Sequence, residues 1–190
     1  MRSLNDDFNE LVERIRHGRE FEHASFEPVY YLIFDPKQIL DVKRSLVAWQ
    51  ARLRNDNWDV HRLSIADEIA DILNHAPMRN IWLVADRKAP QDWKRTNDSL
   101  ANALTNGALQ ERLRGRLEAL QYTRNALMLV TDLEALHPYL RIGTIEGKLS
   151  GSFHVPTVFL YPGKRTGKTR LKFLGFYPED GNYRSVHVGG

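Results

Sequence analysis

Apolar residues follow two alternating patterns along the chain: short continuous runs, and longer segments in which they recur every three or four positions. The continuous runs are rich in β-branched and aromatic residues and therefore predict strands buried on both faces. These runs are VYYLIFDP (29–36), ALMLVTD (126–132) and TVFLY (157–161). A shorter run, DVHRLSI (59–65), predicts a further strand.

Segments with helical spacing lie between these runs. The N-terminal segment carries apolar residues from Leu4 to Ile15 on one helical face, and His17-Gly18 is a typical stop. Asp35-Pro36 supplies an N-cap and a proline for the first turn of a second helix, which should end near Asn55. Further helices are predicted over ADEIADILNHAP (66–77) and, broken near Asn106-Gly107, over 92–124.

The stretch RNIWLVADRKAP (79–90) is ambiguous at this level. Residues 81–85 form an apolar run that fits a buried strand, but the same residues would also cover one side of a helix. Periodicity alone cannot separate the two structures in so short a run.

The alternation of strands with helices predicts an α/β fold. We expect a single three-layer domain over residues 1–190, with a mostly parallel sheet covered by helices. Two further strands are predicted near the C-terminus, within RLKFLGFY (170–177) and YRSVHV (183–188). Because the turn PEDGN joins them closely, we expect these two strands to pair as an antiparallel hairpin at the sheet edge.

Composition narrows the classes of function. The chain has 190 residues, a net charge of +3 and no cysteine, which excludes disulfides, thiolate metal sites and cysteine nucleophiles. No apolar stretch is long enough for a transmembrane helix, so we expect no membrane association. The acidic start, with Asp6 and Asp7, does not resemble a signal peptide, and a cytoplasmic location is expected.

The segment YPGKRTGKT (161–169) imitates a nucleotide-binding loop, since Gly167-Lys168-Thr169 matches the end of a Walker A motif. The position of the first Walker glycine is occupied by Pro162, which has no amide hydrogen to donate to phosphate. The residues that follow, RLKFL (170–174), alternate as in a strand, whereas a Walker loop opens a helix. We therefore predict a basic hairpin-like loop without nucleotide binding.

Two acids end buried strands, Asp35 and Asp132. In open α/β sheets ligands bind at the carboxyl ends of strands, so this pair could hold a metal or act as acid and base. An aspartate after a strand is also the usual helix N-cap, and we expect capping for both. Asp86 would join them only if 81–85 is a strand. The histidines show no zinc-binding spacing, and we expect no metal and no cofactor.

Three other groups of polar residues are candidates for function. His137, Tyr139 and Arg141 lie in one turn, where packing is the expected role because no nucleophile is near in sequence. Basic residues cluster in the hairpin-like segment and again on the helix that precedes the second buried run. The two basic groups are Lys164, Arg165, Lys168, Arg170 and Lys172, and Arg112, Arg114 and Arg116. Either group could contact phosphates or an acidic partner, and a solvated face is the alternative.

The C-terminal third resembles a known family. ALMLVTDLEALHPYLR (126–141) matches an apolar strand ending in threonine and then a Pro-aromatic-x-Arg element. The second family pattern is Val-Pro, an apolar strand, Tyr-Pro-Gly, a Leu/Phe-rich strand ending in glycine, and a final Asn-Tyr-Arg. It is matched by residues 155–186, VPTVFLYPGKRTGKTRLKFLGFYPEDGNYRSV. These motifs, with YYLIFDPKQILDVKRSLVAWQARL (30–53), resemble BrxB, a component of BREX bacteriophage-defence systems.

The resemblance spans roughly residues 28–75 and 126–188, and between them it favours a helix at 81–85. The chain departs from the family pattern at Asp132-Leu133-Glu134, where small residues are usual, and in its unusually basic Tyr-Pro-Gly loop. The family has no assigned catalytic residues. The resemblance implies an accessory protein that supports host DNA methylation and phage exclusion, with the phosphatase-like PglZ as first partner and the BrxC-type ATPase and PglX methyltransferase as further candidates.

We therefore expect a non-enzymatic assembly protein. Its expected contact residues are those of the basic loop, Lys164, Arg165, Lys168 and Arg170, with Pro162-Gly163 ending a strand and turning the chain. The first alternative is a nucleic-acid-binding module that uses the same residues. The second is a small metal- or nucleotide-dependent enzyme that uses Asp35 and Asp132.

Overall fold

The structure is a computed structural model, and it describes residues 2–18, 27–167, 170–181 and 185–190. Its strands and helices alternate through most of the chain. The strands are β1 (Val29–Phe34), β2 (Asp59–Ser64), β3 (Ala126–Thr131), β4 (Thr157–Thr166), β5 (Arg170–Phe173), β6 (Asp180–Gly181) and β7 (Val186–Gly189). The helices are α1 (Leu4–Gly18), α2 (Ile39–Asn55), α3 (Ile65–Asn74), α4 (Arg79–Lys88), α5 (Trp93–Thr105), α6 (Ala108–Leu120) and α7 (Ile142–Lys148).

Five strands form a parallel sheet in the order β2-β3-β4-β1-β7. All six residues of β1 are buried, as are all six of β3. Strands that are covered on both faces need apolar residues at every position, which explains the continuous runs in the sequence. The predicted positions of β1, β2 and β3 and the predicted start of β4 are confirmed.

Alternate residues of β1 enter two separate cores. Tyr30, Leu32 and Phe34 pack under α1 and α2, where the rings of Phe8 and Trp49 stack at 4.5 Å. Val29, Tyr31 and Ile33 face the other layer, which contains apolar residues of α3, α5, α6 and α7. The sheet therefore lies between two helical layers, and the predicted α/β class with a mostly parallel, helix-covered sheet is confirmed. Within the described ranges no helix is long and apolar enough to cross a membrane.

The ambiguous segment is helical, because residues 81–85 lie inside α4. Only Trp82 of this helix is buried, and its indole Nε1 donates a hydrogen bond of 2.8 Å to Ser99 Oγ on α5. An apolar run that would suit a central strand thus lies at the surface of the helical layer. Asp86 lies on the same helix and so does not join the acids at the strand ends.

Antiparallel strands are present in the C-terminal part, but the expected hairpin between the last two strands is wrong. Strand β5 pairs antiparallel with the end of β4 and with β6. The last strand, β7, lies parallel to β1 and forms the far edge of the sheet. Its Val188 is 1% exposed and joins the core under α1 and α2, so burial on β1 outweighs the short connection that favoured a local hairpin.

Pro162 and Gly163 do not end a strand, contrary to expectation, since β4 continues through them to Thr166. The turn comes later, at Gly167, whose φ of +79° suits glycine. Gly163 is required for another reason: a Cβ there would lie 2.5 Å from the carbonyl oxygen of Lys172 on β5. The Pro-Gly pair therefore allows β4 to pass from the parallel sheet into the antiparallel hairpin with a close backbone approach.

Gly163→Ala should destabilise the protein by about 1–3 kcal/mol, because the new methyl group forces the paired backbones apart. Gly147→Ala is the matched control, since a Cβ at this helical position meets nothing within 4 Å. That control should be neutral or stabilising by up to about 1 kcal/mol. Urea unfolding of both variants measures the difference, and equal stabilities would show that the close approach at Gly163 does not limit the fold.

Candidate functional site

The two strand-end acids lie at the same edge of the sheet but are not neighbours. Asp35 follows β1 and Asp132 follows β3, and β4 lies between these two strands. Adjacent strands are about 4.8 Å apart, so the two strand ends are separated by about 10 Å. What each carboxylate can do depends on its own partners.

Asp35 is a helix cap, as expected. Its Oδ1 accepts a hydrogen bond of 2.9 Å from the backbone N–H of Lys37, at the start of the short 3-10 helix Pro36–Gln38. The side chain of Gln38 accepts one in return from the backbone N–H of Asp35, at 3.3 Å. This reciprocal pair is a capping box, and it assigns the carboxylate to the helix terminus.

Asp132 is not a cap, so the expectation for this residue is wrong. It precedes the 3-10 helix Leu133–Leu136 without capping it, and its backbone is left-handed with φ of +62°. Instead its carboxylate, 8% exposed, receives four side-chain contacts from α2, β2 and β3. These are Thr131 Oγ1 at 2.6 Å, Ser64 Oγ at 2.8 Å, Lys43 Nζ at 2.9 Å and Arg62 Nη2 at 3.0 Å.

These contacts decide the charge state of Asp132. Burial alone would raise the pKa of its carboxyl group, but the hydrogen bonds from Thr131, Lys43, Ser64 and Arg62 outweigh burial. The pKa is therefore held well below its usual range, and the carboxylate is charged at neutral pH. This carboxylate accepts hydrogen bonds from two hydroxyl groups and contacts two cations. It therefore connects strands β2 and β3 to helix α2.

A metal site at this edge is not supported by the surrounding side chains. Over residues 2–18, 27–167, 170–181 and 185–190, no three His, Asp or Glu side chains converge in a way that could hold a metal ion. The seven histidines of the chain therefore give no such cluster in that part of it.

The group at His137 has the packing role expected of it. His137 contacts both Phe176 and Tyr177, and its Nδ1 is hydrogen-bonded to the Tyr177 hydroxyl. The Arg141 guanidinium lies 3.7 Å from the centre of the Tyr177 ring, a cation–π contact. Tyr139 donates a hydrogen bond of 2.6 Å to Asn97 on α5. These side chains fix the turn after β5 against the helical layer.

Acids neutralise two of the three arginines on α6, and the third, Arg116, comes only within 4.0 Å of Glu68. Arg112 contacts Glu68 at 2.8 Å and Asp71 at 2.5 Å, both on α3. Arg114 pairs with Glu111 at 2.5 Å within its own helix. Arg112 thus joins α6 to α3, and Arg114 pairs within α6. Their charges are compensated and leave little for a phosphate to neutralise.

The basic hairpin of β4 and β5 exposes cations on two different faces. Lys164 pairs in register with Lys172, and Thr166 pairs with Arg170, so these side chains share one face. Arg165 pairs with the fully buried Leu171 and belongs to the opposite face. Of the four predicted contact residues, Lys164 and Arg170 are therefore brought together, Arg165 is turned away, and Lys168 lies outside the described residues.

We call Lys164, Arg170 and Lys172 the basic face. Arg170 contacts Glu179 at 3.5 Å, but Lys164 and Lys172 make no ion pair within the part of the chain that the structure describes. Like charges directly opposite each other on paired strands are destabilising. The fold therefore maintains two lysines at opposite positions of paired strands, and an anion from outside would stabilise them.

An exposed aromatic ring lies beside this face. The Lys164 side chain extends over the turn after β5, where its Cε is 3.8 Å from the position of a Cβ on Gly175. The next residue, Phe176, is 62% exposed and stacks on Tyr177 at 4.6 Å. Phe176 therefore follows a glycine that Lys164 approaches, and an exposed aromatic ring near uncompensated cations is typical of a binding surface.

Arg165 instead lines a cleft of about 830 Å³ at the carboxyl end of β1. Two other cations of this cleft, Arg2 and Arg14, are already paired with Glu10 at 2.5 and 2.7 Å, whereas Lys37 lines it without an ion pair among the described residues. Burial, with the nearby charge of Arg165, lowers the pKa of His187 to about 4, so this residue of the cleft is neutral at physiological pH. The cleft therefore offers a mixed lining and weaker selection for one ligand charge than the basic face.

Comparison with known proteins identifies the family. The family model of the BREX protein BrxB matches residues 62–188. The BREX protein BrxB of Bacillus cereus (strain H3081.97) is 23% identical over 195 residues, which cover 99% of this chain and 98% of that protein. No solved structure matches the chain. The protein is thus a component of an antiviral BREX defence system, and the chain belongs to the BrxB family.

Asp132→Asn should destabilise the protein by about 1–3 kcal/mol at pH 7, because it removes the charge on which Lys43 and Arg62 converge. Asparagine tolerates the left-handed backbone, so the loss would report the contacts and not strain. Since the folded-state pKa of Asp132 is depressed below the unfolded value of 3.8, the advantage of the wild type is complete above about pH 5 and declines as the pH falls below that.

Asp35→Asn is the control for this experiment and should change stability by less than about 0.5 kcal/mol, because asparagine caps helices as well as aspartate does. Urea unfolding at pH 7 and at pH 3 measures both variants. A neutral Asp132→Asn at pH 7 would contradict the structural role assigned to its carboxylate.

Proposed function

We propose that the chain is a non-catalytic assembly protein of its BREX system. It supports host DNA methylation and phage exclusion by binding other BREX proteins through the basic face. The first candidate partner is a PglZ-like protein, and a BrxC-type ATPase and a PglX methyltransferase are further candidates. Family membership supports the system to which the chain contributes, and the surface chemistry supports the mode of action.

The observation that carries this proposal is the cross-strand pair Lys164–Lys172. Lys164 is exposed and Lys172 is half-buried, and as like charges on opposite strand positions they weaken the hairpin. Neither makes an ion pair within the described residues, since the nearby Glu179 contacts Arg170. An acidic patch on a partner would neutralise both groups at once. Phe176 beside them would supply the apolar contact that interface centres favour.

The partners of the strand-end acids support a role without catalysis. General acid–base chemistry needs a carboxyl group free to exchange protons with a substrate. Asp35 is engaged in a capping box, and Asp132 is charged, buried and surrounded by four donors. The proposed role of an enzyme that uses these two acids is accordingly the weakest of the three hypotheses.

A nucleic-acid-binding module is the second candidate, and Phe176 is the observation that favours it. Single strands bind to surfaces that combine cations for the phosphates with an exposed ring on which a base stacks. The basic face and Phe176 provide both elements. Protein binding is preferred because one exposed ring and two uncompensated lysines form a compact patch, whereas a strand-binding groove presents a longer series of both.

Lys172→Glu should stabilise the fold, because it places a carboxylate opposite Lys164. It should also weaken partner binding, because the new carboxylate repels an acidic patch on the partner. The expected gain in unfolding free energy is about 0.2–1 kcal/mol. The double variant Lys164→Glu with Lys172→Glu should retain wild-type stability within about 0.5 kcal/mol, since one repulsive pair replaces another. Binding of the purified PglZ-like protein should fall in both variants, most in the double variant.

The control is Lys148→Glu with Arg124→Glu, which changes the net charge equally at exposed positions outside the basic face. Each variant is also titrated with single- and double-stranded DNA at two salt concentrations. Loss of DNA binding with a salt slope lowered by about one unit per lost phosphate contact, and with unchanged binding of BREX proteins, would establish the second candidate instead. Wild-type binding of both ligands would show that the basic face is not a functional surface.

A further inference from the structure

Helix α4 exposes most of its apolar side chains. Surface helices normally turn their apolar stripe towards the core. In α4 only Trp82 does so, whereas Ile81 is 57% exposed and Val84 is 47% exposed. Met78, which precedes the helix, is 43% exposed. A helix attached by a single buried tryptophan therefore presents its second apolar stripe to the outside.

That stripe forms one wall of a groove between α4 and α5. The groove has a volume of about 590 Å³, within the range of binding sites for small ligands and for side chains of a docked segment. Its apolar wall consists of Met78, Ile81, Trp82, Val84, Ala85 and Ala89. Ile81, Val84, Ala85 and Lys88 have the spacing i, i+3, i+4 and i+7, so they line it along the axis of α4.

The charges at the rim of the groove are unequal. Lys88 and Arg95 line it together with one acid, Asp92. Neither cation makes an ion pair within the described ranges, in contrast to the arginines of α6. Lys88 and Arg95 can therefore each form an ion pair with an acidic group of a molecule bound in the groove.

The same charges argue against a second copy of this chain as the occupant. Helix α4 begins with Arg79 and ends with Arg87 and Lys88. Antiparallel pairing of two copies of α4 would bring the basic start of one helix next to the basic end of the other. Like charges brought together in this way cost affinity, so charge complementarity favours a different, acidic partner.

We propose that the groove between α4 and α5 binds an amphipathic helix of a partner protein, with an apolar stripe flanked by acidic residues. The helix lays its stripe along Ile81, Val84 and Ala85, and its acids contact Lys88 and Arg95. This is the helix-in-groove mode of peptide recognition. The inference rests on the proposed assembly function and adds a second contact surface that is separate from the basic face.

Two synthetic peptides of about 18 residues test this inference, each long enough to form a helix when bound. Both carry leucines at i, i+3, i+4 and i+7, one with glutamates and the other with lysines beside the stripe. Fluorescence anisotropy should show that the glutamate peptide binds about tenfold more tightly than the lysine peptide. Lys88→Glu with Arg95→Glu should reverse this preference.

Ile81→Glu and Val84→Glu should each weaken binding of the glutamate peptide by about tenfold or more, because they place a like charge in the groove. Val47→Glu is the matched control, since Val47 is 78% exposed on α2 and lies outside the groove. All three sites are exposed, so circular dichroism should show a folded protein in each case.

The proposal is overturned if neither peptide binds, if both bind equally, or if Ile81→Glu and Val47→Glu have the same effect. It is also overturned if sedimentation shows a dimer that Ile81→Glu dissociates, because the groove would then bind a second copy. The peptide experiment contains no BREX protein, so it is independent of the test of the assembly function. If the peptides do not bind, the assembly function can still be tested with the PglZ-like protein. If the assembly function fails its test, the peptide result still shows whether the groove binds a helix.

Discussion

The carboxylate of Asp132, 8% exposed, holds together the elements at the carboxyl edge of the sheet. A charge removed from water must be matched by donors, or it destabilises the fold by several kcal/mol. Here the match comes from Lys43 on α2, Arg62 and Ser64 on β2, and Thr131 on β3. These contacts fix α2, β2 and β3 relative to one another. They also engage the carboxylate of an acid at the carboxyl end of the sheet, where α/β proteins commonly bind their ligands.

The acids at the strand ends have structural roles, and the groups that could bind a partner lie elsewhere on the surface. The basic face on the β4–β5 hairpin keeps two lysines opposite each other, and α4 keeps an apolar stripe outside the core. The opposed lysines cost stability in the isolated chain, and the exposed stripe contributes none through burial. A partner of suitable chemistry would neutralise the first and bury the second. Two surfaces of different character suit a protein of a multicomponent BREX system, in which one chain can contact more than one neighbour.

The sequence predicted the parts of the fold that local patterns determine. The runs at 29–34 and 126–131 are apolar at every position because both faces of their strands are covered, and that signal is visible without any knowledge of neighbours. The capping role of Asp35 was also predictable, because Pro36 and Gln38 lie within three residues of it. The parallel placement of β7 was not, since it depends on burial against β1, far away in the chain.

The errors at the candidate site have the same origin. Three of the four donors to Asp132 come from residues 68 to 89 positions away, so no local pattern distinguishes this acid from a cap. Arg165 was grouped with Lys164 by sequence, but adjacent residues of a strand point to opposite faces. The stripe on α4 was present in the ambiguous run at 81–85, and its exposure became evident only when the neighbours of the helix were known.

Co-purification shows whether this chain acts by binding other BREX proteins. The tagged chain is expressed in cells that carry the neighbouring defence genes, and the eluted complex is analysed by size-exclusion chromatography and mass spectrometry after nuclease treatment. We expect recovery of at least one other BREX protein in a defined stoichiometry that survives the nuclease. Elution of the chain alone, or of a complex that nuclease disperses, would contradict it.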